Sequence, residues 1–181
     1  MIGPSRIALQ TELFTNGSHM VGRLNMPPGQ GRLVDVLNFR GESVIVLYDV
    51  EAKKLEPGSD EVFAWPMAQI RREAILLAIP HDERSPAGED QRPLEYVAKE
   101  PHRFSFLLTN FAVVGDFHLP RGADIGSVRP LNSSEFVPLT NAEATYLPDP
   151  ALTWRADVIV VNAAKAELCY PGADLYPQQR S

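Results

Sequence analysis

The stretch Met20–Gly29, MVGRLNMPPG, decides the fold of this chain, because Val113–Gly122, VVGDFHLPRG, repeats its pattern without a gap. Glycine recurs at the third and tenth positions of both stretches and proline at the eighth. The similarity continues downstream, where Val44–Ala52, VIVLYDVEA, aligns with Phe136–Ala144, FVPLTNAEA. Self-similarity of this kind predicts that one structural unit occurs twice in the chain.

Each copy has the pattern of short antiparallel strands. In the first copy Asn16-Gly17 separates two half-apolar runs, which predicts a hairpin with a type I′ turn, since both residues tolerate positive φ. A proline-glycine loop and a helical turn at Arg32–Asn38 follow the hairpin. Strands are predicted at Ser43–Leu55 and Val62–Ile79, the second interrupted by a bend near Ile70–Glu73. The second copy repeats this order.

The predicted fold is all-β, with two tandem small five-stranded barrels and short helical turns. The first barrel repeat covers residues 1–81 and the second covers residues 103–173. Residues 82–102 are rich in charge and proline, which indicates a linker, with a short helix compatible with Leu94–Lys99. Residues 174–181 are predicted to be a flexible tail. Units of this size are marginal alone, which is a physical reason for a tandem arrangement.

Charge and hydropathy restrict the partners. The formal net charge is -6, and basic residues cluster only as the pairs Lys53-Lys54 and Arg71-Arg72. Nucleic acid and anionic membranes are therefore not expected as partners, because phosphate contacts need a basic surface. No signal-peptide pattern and no apolar run of about 20 residues is present, so a cytoplasmic protein is expected.

No motif for catalysis, phosphate binding or dinucleotide binding occurs in the sequence. The four histidines lie far apart along the chain, which does not favour a metal site; they are His19, His81, His102 and His118. The single cysteine, Cys169, is interpreted as a small apolar filler. We therefore expect no enzyme and assign no catalytic, cofactor-binding or metal-ligating residue.

A few polar and aromatic residues are candidates for other roles. Asp35 either presents a carboxylate to a partner or caps backbone N–H groups of its turn, and capping is favoured. Asn38 and Asn132 are expected at turn exits in the left-handed conformation that suits Asn. Trp65 and Trp154 fall in comparable segments, where a core position is favoured over a role as interface anchor.

The stretch Thr15–Leu24, TNGSHMVGRL, resembles the first hairpin of the Sm-like proteins, in which a turn precedes a strand with an internal glycine. Val44–Ala52 resembles the third Sm strand. The whole chain also resembles an uncharacterised bacterial family with two such repeats, marked by a Pro-x-Gly and Leu-x-Asp-x-Leu-Asn loop. That loop is Pro27–Asn38 here, and Ser127 and Arg129 break it in the second copy. The resemblance implies small barrels of the SH3 type.

The function expected from this fold is non-enzymatic binding of another protein, as a scaffold or adaptor module. Binding would use edge-strand pairing or the loop Pro27–Asn38. The partner is an unidentified protein, and homo-oligomerisation is left open. One alternative is a module that senses a small ligand or nucleotide between the copies. A further alternative is an Sm-like RNA-binding protein, disfavoured because Glu56, Asp60 and Glu61 occupy a loop where basic or aromatic residues would be needed.

Overall fold

The computed structural model describes residues 8–81, 83 and 98–172. This part of the chain is all-β, with ten antiparallel strands, one short α-helix and four 3-10 turns. The chain divides into two compact units, Met1–Gly88 and Glu89–Ser181. An all-β fold with little helix is therefore confirmed.

The first unit contains five strands and one helix, which are β1 (Ala8–Phe14), β2 (Ser18–Asn25), α1 (Leu33–Asn38), β3 (Val44–Lys54), β4 (Val62–Arg71) and β5 (Leu77–His81). A 3-10 turn at Arg72–Ala74 follows β4. The strands pair in the order β5-β1-β2-β3-β4. The predicted bend between the last two strands is confirmed.

The second unit repeats this topology with β6 (Lys99–Leu107), β7 (Phe111–Pro120), β8 (Phe136–Tyr146), β9 (Thr153–Asn162) and β10 (Leu168–Pro171). Its 3-10 turns are Ile125–Ser127, Pro130–Asn132 and Ala163–Lys165. The strands pair in the order β10-β6-β7-β8-β9. The two units thus have the same strand order, as the sequence repeat predicts.

The repeated glycine marks the same bend in both units. The register between the second and third strands shifts at Gly22 in one unit and at Gly115 in the other. On the facing strand Asp49 has a φ of 49° and Asn141 a φ of 48°. These positions are equivalent in the sequence alignment, so each sheet carries the same bulge and bends there.

Close backbone approach explains why glycine is needed at the bend. A Cβ at Gly22 would lie 3.2 Å from the Cβ of Leu47, and a Cβ at Gly115 would lie 2.7 Å from the Cβ of Leu139. Leu47 and Leu139 are themselves equivalent, and both are fully buried. The surroundings of the two glycines therefore match.

Each unit has its own apolar core. The largest fully buried side chains of the first unit are mostly aliphatic, and those of the second are mostly aromatic; they are Phe14, Leu13, Leu33, Leu37, Leu47, Ile75 and Leu77, and Phe104, Phe106, Phe111, Phe136 and Leu108. Burying each contributes about 1.5–3 kcal/mol. Helix α1 buries four of its six side chains, so packing rather than propensity stabilises it.

The strand pairing shows an open sheet and not clearly the two small barrels that the sequence predicts. In each unit the fourth strand pairs with the third and the fifth strand pairs with the first, and among the described residues the fourth and fifth strands of the same unit do not pair. In the first unit the 3-10 turn Arg72–Ala74 changes the direction of the chain. The N–H of Leu76 then donates to the carbonyl of Phe14 at 2.8 Å. Glu167 makes the equivalent bond to Leu107 at 2.8 Å. The fifth strand thus begins on the first strand, not on the fourth.

The first hairpin is present, but its turn is not type I′. Neither Asn16 nor Gly17 has a positive φ. The N–H of Thr15 donates to the carbonyl of Ser18 at 2.9 Å, and the Gly17 carbonyl accepts from the N–H of Leu55 at 3.0 Å. The turn is therefore shaped by a bond to the end of β3 as well as by its own two residues.

The predicted boundary of the second repeat also changes. Strand β6 begins at Lys99, four residues before the predicted start at Arg103. Pairing explains the difference, since Lys99 lies opposite Pro120 and Pro101 lies opposite His118. Most of the predicted helix Leu94–Lys99, and the predicted tail 174–181, lie outside the described residues.

Candidate functional site

Strand β4 exposes a row of apolar side chains. Phe63, Trp65 and Met67 are 39%, 45% and 48% exposed. Alternate residues of a strand share a face, and the rings of Phe63 and Trp65 stack with centroids 5.7 Å apart. Single exposed apolar residues are common, but a continuous row is typical of a binding surface. We call Phe63, Trp65 and Met67 the β4 patch.

The β4 patch continues the apolar face of the neighbouring strand. Trp65 lies opposite Val50, and Phe63 lies opposite Ala52. Both β3 residues are buried, and directly opposed residues of an antiparallel pair share a face. The face that is covered at β3 is therefore open to solvent one strand further out.

The equivalent strand of the second unit, β9, is buried along its last four residues. The register places Trp154 opposite Ala144, as Phe63 lies opposite Ala52. Continuing along the strands, Val160 is equivalent to Gln69. Val160 is 1% exposed, whereas Gln69 is exposed. The whole segment Ile159–Asn162 is buried, so the fourth-strand edge is open in one unit and covered in the other.

At the fifth strands the exposure of the two units is reversed: β5 of the first unit is buried, and β10 of the second unit is more exposed. Leu77 of β5 is fully buried, and Ala78 and Ile79 beside it are buried as well. The equivalent of Leu77 in β10 is Leu168, which is 48% exposed, and Cys169 next to it is half-buried. The fifth-strand edge is therefore covered in the first unit and open in the second.

The two tryptophans occupy different environments. Trp65 is exposed, so the predicted core position is wrong for it. Trp154 is half-buried, with its ring 6.3 Å from that of Phe111. The strand register offsets the two by two residues, because Trp154 is equivalent to Phe63. A usable signal was present in VFAWPMAQ, which is apolar on both faces and contains Pro66, a combination typical of an edge strand.

The predicted loop Pro27–Asn38 lies beside an open depression of about 280 Å³ that is lined by Pro27, Val36 and Tyr48, among other residues. Tyr48 is 37% exposed and lies opposite Met67 of the β4 patch. The loop predicted to bind a partner is therefore adjacent to the β4 patch.

Asp35 does not have the capping role predicted for it. Its side chain is exposed in the first turn of α1, and within the described residues its carboxylate makes no hydrogen bond. The N–H of Leu33 donates instead to the carboxylate of Glu83. A carboxylate at this end favours the helix. The sequence does not point to Glu83, because it lies in the predicted linker 82–102.

The left-handed residues are not the predicted asparagines. Neither Asn38 nor Asn132 has a positive φ; the positive values belong to Asp49 and Asn141. Both lie at the sheet bulges, where the strand turns sharply against the glycine of its neighbour. The short polar side chains of Asp and Asn tolerate this conformation best among non-glycine residues.

Two histidines bind one carboxylate in the first unit. Nε2 of His19 lies 2.5 Å from Oε2 of Glu12, and Nε2 of His81 lies 2.6 Å from Oε1. The hydrogen bond from His19, followed by that from His81, lowers the pKa of Glu12 against the opposing effect of burial. Within residues 8–81, 83 and 98–172, no three His, Cys, Asp or Glu side chains are placed to hold a metal ion.

Cys169 and His118 are two further residues named in the sequence analysis. Burial raises the pKa of the Cys169 thiol to about 11, so that very little thiolate forms near neutral pH. Nε2 of His118 lies 2.7 Å from the hydroxyl of Thr140.

No helix in the described part of the chain is long and apolar enough to cross a membrane.

Comparison of the chain with protein-family models, with curated proteins and with solved structures finds no match in any of the three. The resemblance to Sm-like proteins and to a bacterial tandem-repeat family stays a prediction.

Proposed function

We propose that this chain is a non-enzymatic protein-binding module, a scaffold or adaptor, and that the β4 patch is its docking surface. The observation that carries the proposal is the row Phe63, Trp65 and Met67 on an edge strand. An edge strand offers unpaired backbone N–H and C=O groups to an incoming strand. Aromatic side chains beside that edge supply the apolar area that dominates interface energetics.

The architecture fits the proposal. Two units with the strand order of small SH3-type barrels, each bent at an equivalent glycine, support a common origin for the two halves. Sheets of this kind serve as platforms, because their edges and loops are available while their cores are filled. A cytoplasmic location, expected from the sequence, belongs to the same proposal.

The test is partner capture with matched variants. Trp65→Ser removes the largest anchor of the β4 patch, and Leu152→Ser changes a side chain that is also exposed, at 36%, but lies in the second unit. We expect Trp65→Ser to weaken capture at least tenfold, in line with loss of a tryptophan hot spot of about 2 kcal/mol or more. Leu152→Ser should leave capture unchanged. Equal capture by wild type and Trp65→Ser would contradict the proposal.

A second variant separates the β4 patch from the surface beside the loop Pro27–Asn38, which the sequence predicts as a docking site. Phe39 follows α1 and is 52% exposed. If Phe39→Ser abolishes capture and Trp65→Ser does not, the loop is the docking surface and the β4 patch is not.

RNA binding, the alternative function, is tested with the wild-type protein and the Trp65→Ser variant. The net charge of -6 opposes it. We expect no change in the anisotropy of a labelled single-stranded RNA at low salt. A salt-dependent rise that persists in Trp65→Ser would support the Sm-like alternative instead.

A further inference from the structure

We propose that the partner covering the β4 patch is a second copy of this chain, which adds its β10 edge to β4, so that chains associate head to tail. This inference rests on the proposed function for its surface and names the occupant of that surface.

The first support is the pattern of buried and exposed edges. Of the two fourth-strand edges, β4 is exposed and β9 is buried along Ile159–Asn162. Of the two fifth-strand edges, β5 is buried along Leu77–Ile79 and β10 is exposed at Leu168. The chain therefore presents one open edge of each type, and each open edge has a counterpart whose apolar side chains are covered in this same protein.

The second support is the absence of charge on the open edges. In the described strands, β4 carries no charged residue from Val62 to Ile70, and β10, Leu168–Pro171, carries none at all. Proteins commonly protect a free edge with charged side chains that would be costly to bury. Two uncharged apolar edges can pair without burying an unpaired charge.

The joining of two different edges has a geometric consequence. Because β4 of one chain meets β10 of the next, the interface is heterologous. A growing assembly therefore keeps an open β4 edge at one end and an open β10 edge at the other until a ring closes. Strand β10 has only four residues, so the pairing is short. We expect dissociation constants on the order of micromolar, at the weak end for protein interfaces.

Complementation between two blocked variants tests this arrangement. Trp65→Lys places a charge in the β4 patch and leaves β10 intact, and Leu168→Lys places one on β10 and leaves β4 intact. Sedimentation at about 1 to 100 µM should show wild type assembling with concentration and each variant alone remaining a monomer. An equimolar mixture should form a dimer and nothing larger, because only one intact pair of edges is available. Leu152→Lys, the control, should assemble like wild type.

A second measurement leaves β4 unchanged. In a Trp154→Phe chain Trp65 is the only tryptophan, and its emission should shift to shorter wavelength as concentration rises. Adding Leu168→Lys should abolish the shift, although the substitution lies in the other unit. Because β4 keeps its sequence in this fluorescence experiment, the result does not depend on how well a β4 variant folds.

The outcomes separate the inference from the proposed function. A wild-type monomer at all concentrations, a Leu168→Lys chain that still dimerises, or a mixture that stays monomeric overturns head-to-tail association. If the chain is monomeric and Trp65→Ser still loses a captured partner, the docking surface stands and only its occupant changes. If Trp65→Ser alters neither assembly nor capture, both proposals fail.

Discussion

The two units share their strand order and the position of their sheet bulge, and they differ in which edge strand is exposed to solvent. Both have the strand order fifth-first-second-third-fourth and a bulge opposite a glycine, at Gly22 and Gly115. They differ at their edges, since β4 is open where β9 is buried, and β10 is open where β5 is buried. The difference teaches that one backbone plan tolerates either an open or a covered edge, so that function can change at the edge without a change of fold.

The largest contrast is expected between Val160→Asp and Gln69→Asp. These positions are equivalent, but Val160 is 1% exposed and Gln69 is exposed. A carboxylate without a partner at the buried position should cost about 3–5 kcal/mol of the free energy of unfolding, and at the exposed position less than about 0.5 kcal/mol. Urea unfolding at about 1 µM protein, followed by tryptophan fluorescence, measures both.

Val160→Thr is the control for this pair, because it is close in volume and uncharged. It should cost less than Val160→Asp and more than Gln69→Asp. Similar losses for the two aspartate variants would mean that the fourth-strand edges are equally exposed in solution, and the contrast between the units would disappear.

The next contrast concerns the glycines at the two bends. A Cβ at Gly115 would lie 2.7 Å from the Cβ of Leu139 and 2.9 Å from that of Ala142, whereas at Gly22 the nearest atom is the carbonyl oxygen of Tyr48 at 3.1 Å. Overpacking of this kind costs about 1–3 kcal/mol. We expect Gly115→Ala near the upper end and Gly22→Ala near the lower end, measured by urea unfolding.

Gly17→Ala is the matched control, since an added Cβ there meets nothing within 4 Å and the φ is not positive. It should change stability by less than about 0.5 kcal/mol. If Gly22→Ala is tolerated as well as Gly17→Ala, the bend of the first unit does not depend on close approach at Gly22.

The features that could be predicted from the sequence are those that depend on local chemistry. The repeated glycine-proline pattern around Gly22 and Gly115 indicated the duplicated unit, and the bend after Ile70 was marked by charged residues within an apolar run. Both are short-range signals, in which the residue type reflects the backbone conformation needed at that same position.

The features that could not be predicted depend on distant partners. The Gly17 carbonyl is turned toward Leu55, so the dipeptide alone did not determine the turn type. Glu83 caps α1 across fifty positions of sequence, which no local pattern reveals. For Trp65 the sequence indicates an edge strand through Pro66, but it does not show whether that edge is covered or open, because an apolar strand has the same composition in both cases.

The smallest contrast is between Glu12 and its equivalent in the second unit, Ser105. Glu12 accepts hydrogen bonds from His19 and His81, whereas the Ser105 hydroxyl donates to the carbonyl of Gly172 at 2.8 Å. Glu12→Gln should therefore cost about 1.5–3 kcal/mol at pH 7 and Ser105→Ala about 1 kcal/mol.

The pH dependence of this loss follows from the lowered pKa of Glu12. Because the folded pKa lies below the ordinary value of 4.5, the carboxylate stabilises the fold fully above that value, and the stabilisation is lost as the pH falls through the folded pKa. The free energy of unfolding of Glu12→Gln should consequently approach that of wild type as the pH falls further below 4.5, while Ser105→Ala keeps a constant difference. If the loss of unfolding free energy in Glu12→Gln persists unchanged at low pH, side-chain packing distinguishes this site from Ser105. The hydrogen bonds of the charged carboxylate to His19 and His81 would then not be the cause.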